Sequence, residues 1–261
     1  PSNPGCPFPG RPLPHVPRLA TAVSRGTLRV VHVAAGREWR GGQRQVFLLA
    51  RELAAGGLDQ IVVTSRNSKL AHELTTAGVT VRAVEWRGGL SLRALVATLG
   101  GTRPRPTILH AHDAHALVIA GVAAAVTGNV LVATRRVTFP IRRPGFWVRA
   151  DRIIAISKAV KQVLVHRGVP DTLVTVVRSG IDLEATRLTA TAPRRRADFG
   201  LPPAGPLVVS VAALDAHKDH PTILRAAAAL RVDHPDLRWA LAGAGPKRGD
   251  LEALARDLGV T

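Results

Sequence analysis

Short runs of β-branched residues alternate with amphipathic helical patterns from about residue 28 to the end of the sequence. This alternation is typical of parallel strands joined by helices that cover the sheet. In the first part of the chain it predicts strands at residues 29–34, 60–64, 80–84, 107–109, 130–134, 152–155 and 173–177. Helices are predicted between them, at residues 43–55, 69–77, 90–99, 114–126 and 158–166.

The alternation resumes after a basic, Pro-bearing stretch at residues 193–206, which we interpret as a linker or domain entry. Strands are then predicted at 207–211 and 238–241, and helices at 221–232 and 249–258. A doubly wound sheet normally has five or six strands, so this second part is too short for a whole domain. We therefore expect a Pro/Arg-rich disordered tail at 1–25, a Rossmann-like domain at 26–185 and a partial domain at 186–261.

Composition narrows the class of protein. Apolar residues make up 46% of the 261, as in globular domains. A lone cysteine, Cys6, excludes an internal disulfide and a cysteine-ligated zinc. The early residues lack an unbroken apolar segment of the kind found in secretory signals, so we expect a cytoplasmic protein. Ala116 to Thr134 is uncharged, but Gly128 interrupts it, which favours a helix and a strand over a membrane span.

The net charge of +18 lies mainly in residues 26–185, where basic residues exceed acidic ones by 12. This fits an anionic partner such as membrane lipid, a phosphorylated substrate or nucleic acid. The alternative is compositional, because 31 of the 36 basic residues are Arg. A nucleic-acid-binding protein is the less favoured reading, since aromatic platforms and recognition motifs are missing from the sequence.

A glycine-rich turn, with Gly36, Gly41 and Gly42, follows the first predicted strand and opens a helix. Such a turn presents free backbone N–H groups and a positive helix end to an anion. Gly42-Gln43 stands where a Walker A loop requires Lys-Ser/Thr, and Gly-x-Gly-x-x-Gly is absent, so neither an ATPase nor a conventional dinucleotide site is supported. A purely structural turn remains the alternative.

Polar side chains also follow two later strands of the first domain. His110, His112 and His115 lie around the end of the fourth strand, where α/β sheets bind ligands. They suit a sugar or phosphate contact or a structural role better than a metal, because a strand-to-helix bend would scatter their directions. Arg135 and Arg136 close the next strand, and their guanidinium groups are expected either to bind a carboxylate or phosphate or to be solvated.

Two loops of the second part carry further candidates. Lys218 leaves one strand and enters a helix, where its ammonium can neutralise a diphosphate. Gly243 and Gly245 follow the next strand and permit close backbone approach to a ligand. A solvated lysine and an ordinary turn are the corresponding structural alternatives.

The order of several short segments along the chain resembles that of the family 4 glycosyltransferases of the GT-B fold. The segments are Gly41-Gly42, His110-Ala111-His112-Asp113, Ile153 to Ser157, Val176 to Asp182, Lys218 and Gly243 to Pro246. The resemblance implies two facing Rossmann-like domains, the acceptor held mainly by the first and a nucleotide-sugar by the second. It also implies transfer with retention of configuration and without a metal or other cofactor, the nucleotide-sugar being a co-substrate.

Residue by residue, the resemblance implies that His112 contacts the transferred sugar and that Lys218 stabilises the departing nucleoside diphosphate. Gly41, Gly42, Gly243 and Gly245 are implied donor contacts. We assign His110, Arg135 and Arg136 to the acceptor, which is expected to be a cell-envelope or other glycan or lipid-linked molecule. Docking on an anionic inner membrane face would suit the basic first domain.

The sequence departs from the family pattern at two places. Ala213 occupies the position, five before Lys218, where the family usually has Arg. The family's Glu-x7-Glu pair, which contacts donor sugar and ribose, is not found among the six Glu residues. We therefore expect a glycosyltransferase whose 261-residue chain transfers little sugar by itself. A sugar-nucleotide epimerase of the same fold is the enzymatic alternative.

Overall fold

The computed structural model of the protein describes residues 28–86, 91–102, 106–141, 143–189 and 195–261. The chain divides into two compact units between Leu183 and Glu184. The sequence pattern predicted this boundary after residue 185, two positions later in the chain than the structure places it. The predicted tail at 1–25, the start of the helix predicted at 90–99 and the start of the predicted linker lie outside the described residues.

All seven strands predicted for the first unit are present. They run at Arg29–Ala34 (β1), Asp59–Ser65 (β2), Val81–Val84 (β3), Thr107–Ala111 (β4), Val130–Arg135 (β5), Arg152–Ala155 (β6) and Val174–Val176 (β7). They form one parallel sheet in the order β3-β2-β1-β4-β5-β6-β7. The strand order reverses between β1 and β4, which places a ligand-binding crevice at the carboxyl ends of these two strands.

The five predicted helices of the first unit are also present, and a sixth helix begins at the boundary between the units. They are Gly41–Ala55 (α1), Lys69–Thr76 (α2), Leu92–Gly101 (α3), Ala114–Thr127 (α4), Lys158–Val165 (α5) and Leu183–Thr189 (α6). The seven-residue α6 was not predicted, because a segment so short shows no helical period. Side chains of Ser68, Ser91, Asp113 and Ser157 cap the amino ends of α2 to α5.

Helices cover both faces of the sheet. One apolar cluster joins Val31, Val33 and Leu109 to residues of α3, α4 and α5. A second joins Val62 to residues of α1 and α2. Because successive side chains of a strand point to opposite faces, odd-numbered residues of β1 and β4 face the first cluster and even-numbered ones face α1.

The uncharged segment from Ala116 to Thr134 is divided between α4 and β5, as predicted. Gly128 ends α4 in a left-handed conformation with φ of 70°, which glycine adopts without steric cost. Among the described residues no helix is both long and apolar enough to cross a membrane.

The second unit has the predicted strands and helices, at Leu207–Val211 (β8), His220–Leu230 (α7), Arg238–Ala242 (β9) and Arg248–Asp257 (α8). β8 and β9 pair in parallel. Leu214, Leu224 and Leu251 form the small core of this unit.

Candidate functional site

A cavity of about 350 Å³ lies in the first unit, at the carboxyl edge of the sheet. Its floor is formed by residues at the ends of β4, β5 and β6, including His110, Thr134 and Ile154. α1 supplies one wall through Leu48 and Leu49. The segment that follows β7, residues 177–182, closes the other side. The cavity is therefore mostly apolar, with polar groups at the strand ends.

Two polar contacts hold the segment after β7 against α1. Gln45 donates from Nε2 to the carbonyl oxygen of Gly180 at 2.7 Å and accepts at Oε1 from the Gly180 N–H at 3.1 Å. Arg51 forms an ion pair with Asp182 at 2.7 Å. This segment belongs to the Val176 to Asp182 string on which the resemblance partly rests. The contacts of Gln45 and Arg51 hold residues 180–182 against α1, which explains the position of this segment.

Three histidines meet beneath the cavity on the face of the sheet that α1 covers. His32 of β1 lies opposite His110 of β4 in the parallel register. Nδ1 of His32 is 2.9 Å from Nε2 of His112, and the ring centroids of His110 and His112 are 4.0 Å apart. His110 Nε2 also contacts Thr134 Oγ1 at 2.7 Å. The structure thus brings His110 and His112 together, whereas His115 is exposed on α4.

Burial keeps these three rings neutral. Loss of hydration lowers the pKa of His32 from 6.5 to about 4. The same cause lowers the pKa values of His110 and His112 well below 6.5, and the neighbouring rings and Arg136 add to the effect. Near neutral pH the cluster therefore acts through hydrogen bonds and not through positive charge.

Arg136 lines the cavity and touches this cluster. One guanidinium nitrogen donates to the carbonyl oxygen of His112 at 2.8 Å, and the other lies 3.3 Å from His112 Nδ1. Burial lowers the pKa of Arg136 to about 10, and the charge of Asp113 opposes that shift. Within the described residues, no carboxylate lies within ion-pair distance of this guanidinium. Arg136 is therefore a half-buried cation that feels the charge of Asp113 but has no ion pair among the described residues.

Arg135 points away from the cavity. Its guanidinium stacks over the Trp147 ring at 5.4 Å and donates to the carbonyl oxygen of Phe139. The period of two along β5 places adjacent side chains on opposite faces, so Arg135 joins the cluster under α4 while Arg136 faces α1. The structure therefore does not bring the two guanidinium groups together as a pair.

The glycines Gly41 and Gly42 form the first turn of α1. No side chain caps this helix and no acidic residue lies in its first turn, so the positive end of the helix dipole is uncompensated. A Cβ atom on Gly42 would lie 3.8 Å from Cδ of Arg136, which places the helix end beside that side chain. A bare helix terminus beside an unpaired guanidinium is a favourable arrangement for an anion.

Asp113 links the loop after β1 to the start of α4. One carboxylate oxygen accepts from the Ala116 N–H at 2.9 Å and caps α4. The other accepts from the Ala35 N–H at 2.7 Å. The loop after β1 and the start of α4 are therefore tied to one carboxylate, which holds the two edges of the crevice in register.

Lys218 of the second unit ends a 3-10 turn, Ala216–Lys218, in the loop between β8 and α7. Its side chain is exposed. Asp215 stabilises the turn by accepting from the His217 N–H at 3.0 Å. Lys218 thus lies at the carboxyl end of a strand, as predicted, on a turn that is held by local hydrogen bonds.

Gly243 and Gly245 follow β9 and pack against the backbone of the loop after β8. A Cβ atom on Gly243 would lie 1.9 Å from the carbonyl oxygen of Ala212, and one on Gly245 would lie 2.3 Å from that of Leu214. Neither position has room for a side chain. Close packing of two loops explains both glycines, and their contact with a donor stays a prediction.

His32 and Gln60 are polar residues of this site that sequence reasoning missed. Gln60 donates from Nε2 to the Ala50 carbonyl oxygen at 2.6 Å, and its side chain interacts with His32. A histidine within the apolar run of β1 is the signal that could have revealed the site. It carries little weight alone, because a single polar residue in a buried strand has many structural explanations.

Comparison with known proteins supports the same family. The model of Glycosyltransferase Family 4 matches residues 39–185, more than half of the chain. A search of curated proteins finds no match.

Solved structures show the same fold at low sequence identity. Anabaena HepE, in complex with UDP-glucose, has a TM-score of 0.73 and 15% identity over 89% of this chain and 66% of its own. The lipopolysaccharide outer core galactosyltransferase WaaB has a TM-score of 0.60 and 15% identity over 89% of this chain and 65% of its own. The UDP-GlcNAc 2-epimerase of Neisseria meningitidis has a TM-score of 0.58 and 13% identity over 88% of this chain and 69% of its own.

The chain therefore spans slightly less than two thirds of the length of HepE and WaaB. Both units are α/β with parallel strands, in keeping with the GT-B fold expected from the sequence. The matched segment contains the cavity, His110, His112 and Arg136, whereas His32 precedes it. On the strength of this match the chain belongs to Glycosyltransferase Family 4.

Proposed function

We propose that the protein is a glycosyltransferase that moves a hexosyl group from a nucleotide-diphosphate sugar to a glycan or lipid-linked acceptor. The observation that carries this proposal is the uncapped amino end of α1, at Gly41 and Gly42, beside the unpaired guanidinium of Arg136. Both groups favour an anion at the carboxyl edge of the sheet, where α/β folds bind ligands. HepE, which shares the fold, binds UDP-glucose.

In this proposal the donor diphosphate is contacted by Gly41 and Gly42, and by Lys218 of the second unit. Negative charge develops on the leaving phosphate oxygen as the bond to the sugar breaks, and a fixed ammonium lowers that barrier. The loops of Gly243 and Gly245 lie after the adjacent strand, where a donor would be bound. Retention of configuration and independence from metal follow from the family resemblance and belong to the proposal.

The acceptor is assigned to the cavity of the first unit, with His110 and Arg136 as its polar contacts. Cell-envelope glycans and lipids are the acceptor classes that we favour, and WaaB is a lipopolysaccharide galactosyltransferase of the same fold. The excess of 12 basic residues in residues 26–185 supports peripheral contact with the anionic inner face of the membrane. Cytoplasmic location is part of this proposal.

The second candidate is a sugar-nucleotide epimerase, because the Neisseria meningitidis epimerase shares the fold with a TM-score of 0.58. An epimerase interconverts free nucleotide-sugars and needs no acceptor. A transferase releases nucleoside diphosphate in step with glycan formation. The products formed therefore separate the two.

The experiment has a binding part and a product part. The 261-residue chain is titrated with UDP-glucose and with sugars of other nucleotides, and bound ligand is detected by saturation-transfer NMR. Binding that is lost in Lys218→Ala, but kept in the control Lys247→Ala, supports the donor assignment. Products are then followed by chromatography for a protein as long as its structural relatives, with envelope extracts as acceptors. Nucleotide-sugar interconversion without acceptor would overturn the transferase proposal.

A further inference from the structure

A line of polar side chains crosses the sheet beneath the cavity, from β2 through β1 and the end of β4 to the residue after β5. Gln60, His32, His112 and Arg136 follow one another along this line. The described contacts are 2.9 Å between His32 Nδ1 and His112 Nε2, and 3.3 Å between His112 Nδ1 and Arg136. At the other end His32 Nε2 and Gln60 Oε1 are both buried, and neither has a hydrogen-bond partner.

Arg136 sets the direction of every hydrogen bond in this line. A guanidinium only donates, so Nδ1 of His112 must accept, and the proton of this neutral ring is therefore on Nε2. His112 Nε2–H then donates to His32 Nδ1, and the proton of His32 is on Nε2. The Gln60 side chain acts on His32. Its amide nitrogen donates to the Ala50 carbonyl oxygen, and its own oxygen has no partner.

We propose that His32 is a positioning residue, which fixes the tautomer of His112 so that His112 can hold the Arg136 guanidinium at the cavity for an anionic group of the substrate. This inference rests on the proposed function only for the identity of that substrate. The anionic group is a phosphate or a carboxylate, because these match the planar fork of an arginine. In this arrangement His112 acts through Arg136.

The cost of the arrangement argues against a role in stability alone. His32 lies in the run Val30, Val31, Val33, where an apolar side chain would be buried without needing a partner. The line instead ends at a half-buried cation that forms no ion pair with a described carboxylate, although the charge of Asp113 acts on it. Burying an unpaired charge destabilises a fold, and a ligand of the opposite charge would offset that cost. The arrangement is therefore explained better by ligand binding than by stability.

The same three histidines could also be read as a metal site, since one ring nitrogen from each lies within 4.8 Å of the others. Metal binding needs free nitrogen lone pairs. Here His112 has both nitrogens engaged, and the guanidinium 3.3 Å away repels a divalent cation. The hydrogen-bonded line and the metal site therefore exclude each other, and one spectrum separates them.

The test uses the 261-residue chain with 15N-labelled histidine and records long-range 15N–1H correlation spectra at neutral pH. His32 and His112 should both show protonated Nε2 and unprotonated Nδ1, before and after addition of Zn²⁺. A His112 protonated on Nδ1, a charged His112, or Zn²⁺ shifts at all three rings would overturn the proposal. Because no donor or acceptor is involved, this outcome does not depend on the proposed function.

Two substitutions at His32 add the functional readout, with inorganic phosphate as the probe. His32→Asn keeps an acceptor for His112, whereas His32→Leu removes it. Phosphate should bind His32→Asn as tightly as wild type, and His32→Leu and Arg136→Met about tenfold or more weakly, as expected for loss of a charge-assisted hydrogen bond. Amide spectra confirm that each variant is folded. Equal phosphate affinity in His32→Leu and wild type would show that His32 does not position Arg136.

Discussion

Nδ1 of His32 lies 2.9 Å from Nε2 of His112, although the two residues are 80 positions apart in the chain. The contact arises because β1 and β4 are neighbours in a parallel sheet, with His32 opposite His110. Side chains two apart in a strand share a face, so His110 and His112 both reach the face of His32. A sheet topology thus assembles a buried polar cluster from residues that look isolated in sequence.

Acid should destabilise the first unit through this cluster. The folded state lowers the pKa of His32 from 6.5 to about 4, so between these values the unfolded chain binds more protons. The free energy of unfolding should therefore fall as pH falls from 6.5 to 4, with His32 alone accounting for on the order of 3 kcal/mol. Urea titrations at pH 7, 6, 5 and 4.5 measure the slope.

The matched variants for this pH dependence are His32→Asn and His115→Asn. The first should flatten the slope, because it removes a buried ring that resists protonation. The second removes an exposed histidine of α4 and should leave the slope as in wild type. A free energy of unfolding that does not change between pH 7 and 5 would contradict the buried, neutral cluster.

Methionine substitutions at Arg135 and Arg136 should have opposite effects on phosphate binding and on stability. Arg136→Met should weaken phosphate binding about tenfold or more and leave thermal stability unchanged or raised, because it removes an unpaired half-buried cation. Arg135→Met should leave phosphate binding unchanged and cost about 0.5–2 kcal/mol, because it loses the stacking on Trp147. Calorimetry and thermal melts measure the two effects. Loss of binding in Arg135→Met alone would reverse the assignment.

Gly42→Asp should separate helix stability from anion binding. A carboxylate in the first turn of α1 compensates the helix dipole and stabilises it by about 0.3–1 kcal/mol. The same charge beside Arg136 should compete with UDP, lowering affinity at least tenfold in a calorimetric titration. Gly42→Asn has a similar shape without the charge and serves as the control. If the Asp and Asn variants bind UDP equally, α1 does not contact the phosphate.

Alanine in place of a loop glycine and alanine in place of a helix glycine should change the stability of the second unit in opposite directions. Gly243→Ala places a Cβ 1.9 Å from a backbone oxygen and should destabilise the unit by about 1–3 kcal/mol. Gly249→Ala lies in α8 with nothing within 4 Å of its Cβ, and should stabilise by about 0.5–1 kcal/mol. Chemical denaturation followed through the amide NMR signals of β8, α7, β9 and α8 reports on this unit. Equal stabilities would contradict the backbone packing.

The pattern of apolar runs predicted the strands and most helices correctly, because buried parallel strands and long amphipathic helices leave periodic signals. It missed α6, whose seven residues are too few for a helical period. The cap that Asp113 forms on α4 is a local feature, since capping joins residues three apart in the chain.

The site was harder to predict because its contacts join distant strands. Sequence alone singled out His110, His112 and Arg136, which the structure places together. It did not find His32 or Gln60, and it treated Arg135 and Arg136 as a pair, because facing directions depend on the strand register. Glycines that looked like ligand contacts, such as Gly243, are also explained by backbone packing.

The central claim is that the protein transfers a hexosyl group from a nucleotide-sugar, with Lys218 taking up the charge of the departing diphosphate. The most direct measurement is transfer of labelled hexose to envelope acceptors by a protein as long as its structural relatives, compared between wild type and Lys218→Ala. The account predicts glycan product from wild type and a turnover about 10²–10³-fold lower in the variant. Equal turnover, or conversion of the nucleotide-sugar without an acceptor, would contradict it.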